Sequence, residues 1–217
     1  MKSALREALW FHGLFLAIAL ALLFTVHGER YGQALTALAL AYNILLPLYA
    51  VARGHAEWLS LWFFLIPLSC AQVFPDWALV DIGHALSFPD HGQYRIGGAV
   101  PVYFMGLWIM LLFPILLICD TTRRRYFNTA VLSLLLFAFW EWAARPLALW
   151  HASNVFMIAG TAVYPIIPEM ILCVAALQAY RNSHNRNIIQ RVFSAFGVNL
   201  LYTGAVFIGL LLCRHLL

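Results

Sequence analysis

The sequence has little charge, because Asp, Glu, Lys and Arg together make up only 10% of its 217 residues. A typical soluble domain is about a quarter charged, so this chain lacks the polar side chains that cover a folded surface in water. The scarcity of charge excludes a disordered chain, a basic nucleic-acid-binding arm and an ordinary cytosolic enzyme. We therefore predict no nucleic-acid partner.

Several motifs with known chemistry are also missing. The four cysteines lie in or at the ends of apolar runs without a Cys-x-x-Cys spacing, which favours single buried thiols over a disulfide or a metal site. The sequence contains no His-x-x-x-His or His-Glu-x-x-His spacing, no Gly-x-Ser-x-Gly and no glycine-rich phosphate loop after a strand. These absences predict no metal and no cofactor.

Apolar residues are abundant, at 64% of the chain, and they recur in stretches of about 20 residues, the length that crosses a bilayer as a helix. Backbone groups in the bilayer must bond to one another, which favours helices. We predict an all-α bundle of about seven transmembrane helices, forming a single domain over residues 1–217. The predicted spans are 8–26, 34–52, 57–74, 100–119, 128–149, 157–180 and 192–213.

The distribution of basic residues predicts the orientation of this bundle. With the N-terminus in the cytoplasm, nine Lys and Arg residues lie on the inner side and four on the outer side. Basic residues concentrate on the cytoplasmic side, so this orientation is favoured. The prediction is a multi-pass protein of a bacterial-type inner membrane, with the longer connection at about 75–99 on the non-cytoplasmic side.

Glu141 lies in an apolar run, thirteen residues into the fifth predicted span. A charge at this depth costs several kcal/mol unless it is paired or hydrated. Arg145 follows four residues later, in the order that allows an ion pair on one helix face. Three interpretations stay open for Glu141: a structural pair with Arg145, a proton donor or substrate ligand, and an exposed position at the membrane interface.

Glu169 has no basic residue three or four positions away. Desolvation favours the neutral form of an unpaired carboxyl group, and a neutral carboxylic acid can act as a general acid. The alternative is a structural hydrogen bond to Asn43, Asn199, Tyr164 or a backbone group freed by the neighbouring prolines. We place Glu141 and Glu169 as the candidate catalytic residues, at similar depths and in one outward-facing cavity.

Aromatic residues surround one of the two acids. Trp140 and Trp142 flank Glu141, and because neighbours in sequence point to different helix faces, at most one is expected to line a pocket. Aromatic faces stabilise cations, so these rings are candidate substrate-binding residues together with Arg145 and Tyr164. Membrane-interface anchoring is the competing explanation for most of the tryptophans.

Polar residues of the outer connection are expected at the mouth of the cavity: Asp76, Asp90, His91 and Arg95. Asp81, His84 and His151 lie in or near the same region. Histidine and carboxylate side chains can bind zinc or iron, but without a metal-binding spacing we favour solvated loop residues and helix caps over a metal site.

The stretch FPDHGQYRIGGAVPVYFMGLW, Phe88–Trp108, is similar to a segment shared by an uncharacterised family of small bacterial multi-pass membrane proteins. The likeness extends back over residues 72–77, and it implies no particular activity. The layout of spans more remotely resembles membrane-embedded isoprenoid cyclases of the fungal meroterpenoid and heterodimeric lycopene types, which use intramembrane acids. Pro168-Glu169 resembles part of the Pro-x-Glu-Glu signature of the lycopene type, but Met170 stands where the second Glu is required.

Three functions follow from these features. The first is an enzyme of acid-catalysed chemistry on a lipid or isoprenoid, with a hydrophobic small-molecule substrate and membrane lipids as partners. The second is a small-solute or proton transporter in which the acids form a relay. The third is a structural or assembly subunit of a membrane complex, with an oligomer or a second membrane protein as its partner.

Overall fold

Helices dominate the structure, which confirms the all-α prediction. The computed structural model describes residues 2–215. Its helices are α1 (Lys2–Thr25), α2 (Glu29–Arg53), α3 (Ala56–Ala71), α4 (Val73–Asp81), α5 (Phe104–Asp120), α6 (Arg125–Ala144), α7 (Ile166–Ser183) and α8 (Ile188–Arg214). Short strands lie in two connections: β1 (Leu86–Ser87), β2 (Arg95–Ile96), β3 (Val100–Pro101), β4 (His151–Ala152), β5 (Met157–Ile158) and β6 (Thr161–Ala162).

Within the described residues, five segments are long and apolar enough to cross a membrane, which suggests a membrane protein. They are Ser3–Thr25, Glu29–Arg53, Ala56–Asp81, Arg125–Ala144 and Ile188–Arg214. These segments correspond to the first, second, third, fifth and seventh predicted spans. The fourth predicted span, α5, is apolar but has only 17 residues, and α7 is not among the five. The structure therefore supports five of the seven spans by length and composition.

The third predicted span continues further than its apolar run. α3 ends at Ala71, and after Gln72 the chain enters α4, which extends to Asp81. Pro75 lies in the first turn of α4, where a residue without a backbone N–H is tolerated. Residues 75–81, predicted as part of the outer connection, are therefore helical and carry Asp76 into the helical bundle.

The sixth predicted span begins later than expected. Residues 157–162 form a hairpin of β5 and β6, and α7 starts only at Ile166. Pro165 immediately precedes this helix and Pro168 lies in its first turn. The two prolines fall inside the predicted span 157–180 but mark where the helix begins, because the first turn does not need their missing N–H groups.

The interior of the bundle is built from α3, α5, α7 and α8. α7 packs between α6 and α8, while α3 packs against α5 and α8. Large apolar side chains fill the space between them, including Phe64, Leu112 and Phe113, all without exposed surface. α1 packs on α2 and α5 and leaves much of its apolar surface exposed. The polar groups that the interior does contain are therefore confined to a few positions.

Two connections pair with each other and cover one end of the bundle. β1, from the α4–α5 connection, pairs antiparallel with β4, from the α6–α7 connection, in the register Leu86 to Ala152 and Ser87 to His151. The backbone N–H of Ser153 also donates to the carbonyl oxygen of Ala85 over 3.0 Å. We call this β1–β4 pair the roof. It fixes two segments that are more than 60 residues apart in sequence against each other.

The hairpin of β5 and β6 turns at Ala159 and Gly160, since Ile158 pairs with Thr161. Both turn residues have positive φ, 50° and 77°, which is typical of a type I′ turn. Glycine and asparagine adopt this conformation easily, whereas alanine loses about 1–2 kcal/mol there.

We predict that Ala159→Asn stabilises the hairpin by about 1 kcal/mol, because asparagine tolerates the left-handed conformation. Hydrogen–deuterium exchange of the hairpin amides should slow by about fivefold, as expected for that free energy. Ala159→Val is the matched control and should accelerate exchange, because a β-branched residue is strained at positive φ. Equal exchange rates in both variants would contradict the turn assignment.

Candidate functional site

A small cavity lies beneath the roof, with a volume of about 40 Å³. A cavity needs about 10–15 Å³ of such space to hold one water, so this cavity has room for a few water molecules. Its walls come from α4 to α8 and from the roof. The lining residues are Asp76, Leu79, Leu86, Phe88, Phe104, Leu107, Trp108, Leu111, Phe137, Trp140, Glu141, Trp150, Ala152, Tyr164, Pro165, Glu169 and Tyr202.

Three carboxyl groups line this cavity. Asp76 belongs to α4, Glu141 to α6 and Glu169 to the first turn of α7. Asp76 and Glu169 are each only 4% exposed. Three helices that are far apart in sequence thus direct their acids into one space, which we call the acid cavity.

The three acids differ in their hydrogen bonds. The indole N–H of Trp108 donates to Asp76 Oδ2 over 3.4 Å, and the indole N–H of Trp150 donates to Glu141 Oε2 over 3.3 Å. By contrast, Glu169 Oε2 is buried and has no hydrogen-bond partner among the described residues. An indole nitrogen only donates, so Asp76 and Glu141 are both held as acceptors. Glu169 carries no such constraint.

No basic side chain neutralises these acids: within residues 2–215, none of the three forms an ion pair. Arg145 instead donates to the carbonyl oxygen of Ala159 over 3.4 Å. The ion pair that was one interpretation of Glu141 is therefore not formed. A buried acid without a cation needs other polar partners, and the indole N–H groups of Trp108 and Trp150 are such partners for Asp76 and Glu141.

The structural partners considered for Glu169 are bonded elsewhere or not at all. The Asn43 side chain donates to the carbonyl oxygens of Ala39 and Gly106. The amide nitrogen of Asn199 is buried without a partner in the described part of the chain. Tyr164 lies in the wall of the acid cavity, where Gly209 lets α8 pass close to it; an added Cβ at Gly209 would lie 2.6 Å from the Tyr164 carbonyl oxygen.

Aromatic rings make up much of the remaining wall. Trp140 lines the acid cavity, and its buried indole N–H has no partner among residues 2–215. Trp142, two residues further along α6, points away and is 54% exposed. Ring contacts link Trp140 to Trp150 at 6.2 Å and Trp108 to Tyr202 at 5.7 Å between centroids. The acid cavity thus combines an unpaired acceptor, Glu169 Oε2, and an unpaired donor, the indole N–H of Trp140, with aromatic faces.

Comparison with known proteins places this chain in a family. Residues 73–213 match the family described as Domain of unknown function (DUF6989). The chain belongs to this family. No curated protein matches the chain, and no solved structure matches it. The prediction of an uncharacterised family is confirmed to that extent.

Every residue that lines the acid cavity lies within the DUF6989 region, from Asp76 to Tyr202. α1, α2 and α3 lie outside it. The matched region therefore contains all three carboxyl groups and all the aromatic residues that line the cavity. None of the lining residues belongs to α1, α2 or α3.

The outer residues of the DUF6989 region serve mainly to hold their own loop. Arg95 donates to the carbonyl oxygens of Phe88, Pro89 and Ala99. Asp90 accepts from the backbone N–H of Gly92, and His91 Nε2 donates to the carbonyl oxygen of Ala148 over 2.9 Å. None of these three side chains lines the acid cavity. Of the four residues predicted at the mouth, only Asp76 reaches the acids.

A second, polar pocket of about 200 Å³ adjoins the acid cavity and shares Glu141, Trp150 and Ala152 with it. Arg145 and His151 line its outer part. Within the described residues, no three His, Cys, Asp or Glu side chains are arranged to hold a metal ion.

Sequence reasoning missed the roles of Trp108, Trp150 and Tyr202. Trp150 follows Glu141 by nine residues, and no helical periodicity relates them because α6 ends at Ala144. Trp108 and Asp76 belong to different helices 32 residues apart. The only available signal was the wealth of tryptophan near acids, which membrane-interface anchoring explains as well.

We predict that Trp150→Phe lowers the free energy of unfolding by about 1–3 kcal/mol, because it removes the indole N–H that donates to Glu141 and part of a buried ring. Thermal unfolding in detergent micelles measures the change. Trp142→Phe, on the exposed face of α6, should stay within about 0.5 kcal/mol of the wild type. In a Glu141→Ala background the Trp150→Phe loss should shrink, since no acceptor remains; an equal loss would contradict the hydrogen bond.

Proposed function

We propose that this chain is a membrane enzyme that isomerises or cyclises an unsaturated lipid or isoprenoid by acid catalysis. The observation that carries the proposal is the convergence of Asp76, Glu141 and Glu169 on one cavity with aromatic walls. Acids supply and remove protons, and aromatic faces stabilise the carbocation that forms between the two steps. Such a rearrangement changes no atom count and needs no cofactor.

Glu169 is the proposed proton donor, because no donor among residues 2–215 holds its Oε2 as an acceptor. Its O–H bond breaks, the proton forms a new C–H bond with one alkene carbon, and the neighbouring carbon becomes a carbocation. Ring closure or bond migration moves the positive charge along the chain. A proton then leaves an adjacent carbon for a carboxylate, Glu141 or Asp76, and a new double bond forms.

The other candidate residues surround this reaction. Trp140, Trp108 and Tyr164 line the cavity where the cation forms. Arg145 and His151 line the outer pocket and would contact a polar head group of the substrate. Asp90, His91 and Arg95 hold the loop between α4 and α5 in place through hydrogen bonds to backbone groups.

The surface of the bundle supports a location within a membrane. Large apolar side chains are exposed along α1, α2, α6 and α8, including Trp10 at 74% and Phe24 at 68%. Contiguous apolar surface of this kind is rare in water-soluble monomers. The proposed location is a bacterial inner membrane, in line with the sequence likeness noted above for residues 88–108.

The proposed orientation has a cytoplasmic N-terminus. Connections at one end of the bundle carry most of the arginines, including Arg53 bonded to Glu7 and Arg181 bonded to Asp120. The roof, with the acid cavity beneath it, lies at the opposite end. An excess of basic residues is typical of the cytoplasmic side.

The central prediction concerns the proton donor. Glu169→Gln should abolish the product, because loss of a general acid lowers rates by about 10²–10⁴-fold. Lipid and isoprenoid extracts of producing cells are compared by mass spectrometry after chromatography. The expected result is loss of one species and a rise of an isomer of equal mass. Asp76→Asn and Glu141→Gln should weaken the same conversion.

Glu29→Gln is the matched control, since Glu29 is an exposed acid at the start of α2, outside the cavity. It should leave the extracts unchanged. If Glu169→Gln folds normally and its extracts equal those of the wild type, the enzyme proposal fails.

Orientation is tested by cysteine labelling in intact cells. Tyr94→Cys, at an exposed position of the outer loop, should react with a membrane-impermeant maleimide. Arg124→Cys, between α5 and α6, should react only after permeabilisation. The wild type measures background labelling from its own cysteines, three of which are buried. The reverse pattern would contradict the proposed orientation.

A proton carrier is the second candidate, and the small volume of the acid cavity favours it. About 40 Å³ accommodates water but not a lipid chain without rearrangement. Glu141 joins this cavity to the outer pocket, so acids and water would form a relay. Proteoliposomes with a pH gradient distinguish the two: proton flux that is lost in Glu141→Gln, with unchanged lipid extracts, would favour the carrier.

A further inference from the structure

A groove of about 240 Å³ opens on the side of the bundle between α1, α5 and α6. We call it the lateral groove. Leu16 of α1 and Phe139 of α6 stand at its edges, and both are more than half exposed. Ala19 and Met110 line its interior. The groove therefore faces the exposed apolar flank of the bundle rather than the roof.

The lateral groove offers a nearly continuous apolar lining. His12 and Tyr42 are its main polar members, and they satisfy each other. Nδ1–H of His12 donates to the carbonyl oxygen of Ala8 over 2.7 Å, because a carbonyl can only accept. Nε2 of His12 then accepts from the Tyr42 hydroxyl over 2.6 Å. Neither side chain keeps a free polar atom for a hydrophilic ligand.

The lateral groove adjoins the acid cavity. Leu107, Leu111 and Trp140 line both spaces, so the ring of Trp140 forms part of the wall between them. The acid cavity has room for only a few waters, whereas the groove is about six times larger. The groove therefore offers more room for an apolar chain than the acid cavity does, and Trp140 lies between the two spaces.

We infer that the lateral groove binds the apolar chain of the substrate, which enters sideways from the bilayer, and that Trp140 gates its passage to the acids. The inference rests on the proposed function and names its substrate class: a lipid with a long polyprenyl or acyl chain. Continuity with the acid cavity, an apolar lining and an opening on the exposed apolar flank carry it. Along this route a water-soluble substrate would meet no free polar group before Trp140 and the acids.

Photolabelling of the full chain in phosphatidylcholine nanodiscs tests the groove. The probes are diazirine analogues of geranylgeraniol and of palmitic acid, which distinguish a polyprenyl from an acyl chain. One of them should label α1 near His12–Ala19 and α6 near residues 136–140, and an excess of the unmodified compound should compete. Peptide mass spectrometry identifies the labelled residues.

Ala19→Phe places a ring in the groove and should weaken this competed labelling about tenfold, since an overfilled site is strongly unfavourable. Met110→Trp blocks the groove from α5 and covers the case in which Ala19→Phe does not fold. Ala21→Phe, on the exposed surface of α1 outside the groove, is the matched control and should label as the wild type does. Labelling that no competitor reduces, or that Ala19→Phe and Ala21→Phe affect equally, would overturn the inference.

The gate has a test of its own. Trp140→Ala should connect the two spaces and move part of the label from the groove to Glu169 or Glu141. Label confined to the groove in this variant would overturn the role of Trp140. Labelling of the groove does not depend on the acids. If the groove is labelled but Glu169→Gln leaves the lipid extracts unchanged, the proposed function fails while lipid binding in the groove stands. If the groove is not labelled, this inference fails by itself.

Discussion

The site depends on one constraint: Asp76 and Glu169 are buried, and Glu141 is partly buried, without a basic partner. An isolated charge in an apolar interior costs several kcal/mol, and a buried polar atom without a hydrogen bond costs less but still destabilises the fold. The structure provides indole donors for Asp76 and Glu141 and leaves Glu169 to the cavity itself. Stability alone would favour apolar residues at these positions.

The roof explains how such a cavity is maintained. Pairing of β1 with β4 holds two connections together over the ends of α4, α6 and α7. It brings Trp150 within reach of Glu141 and covers a cavity of about 40 Å³. The helices supply the acids. The connections supply the roof and the indole N–H of Trp150, one of the two indole donors.

The acid cavity adjoins a polar pocket on one side and an apolar groove on the other. Toward the roof, Glu141 meets a polar pocket with Arg145 and His151; toward α1, Trp140 meets an apolar groove. An amphiphilic substrate would match this polarity, with its head group at the first and its chain in the second. The groove wall includes α1 and α2, outside the DUF6989 region, whereas the acids lie entirely inside it.

Composition and the spacing of apolar runs determined the helical class, because runs of about 20 apolar residues have few other stable solutions. The sequence also singled out Glu141, Glu169 and the pair of Trp140 and Trp142, since acids and deep rings stand out in apolar runs; the structure decided that Trp140 lines the cavity. Only the tertiary structure decided that α4 carries Asp76 into the bundle, that α7 begins at Ile166, and that Trp108 and Trp150 donate to acids. These features depend on contacts between residues that are distant along the chain, and periodicity within one helix contains no information about which helix lies opposite.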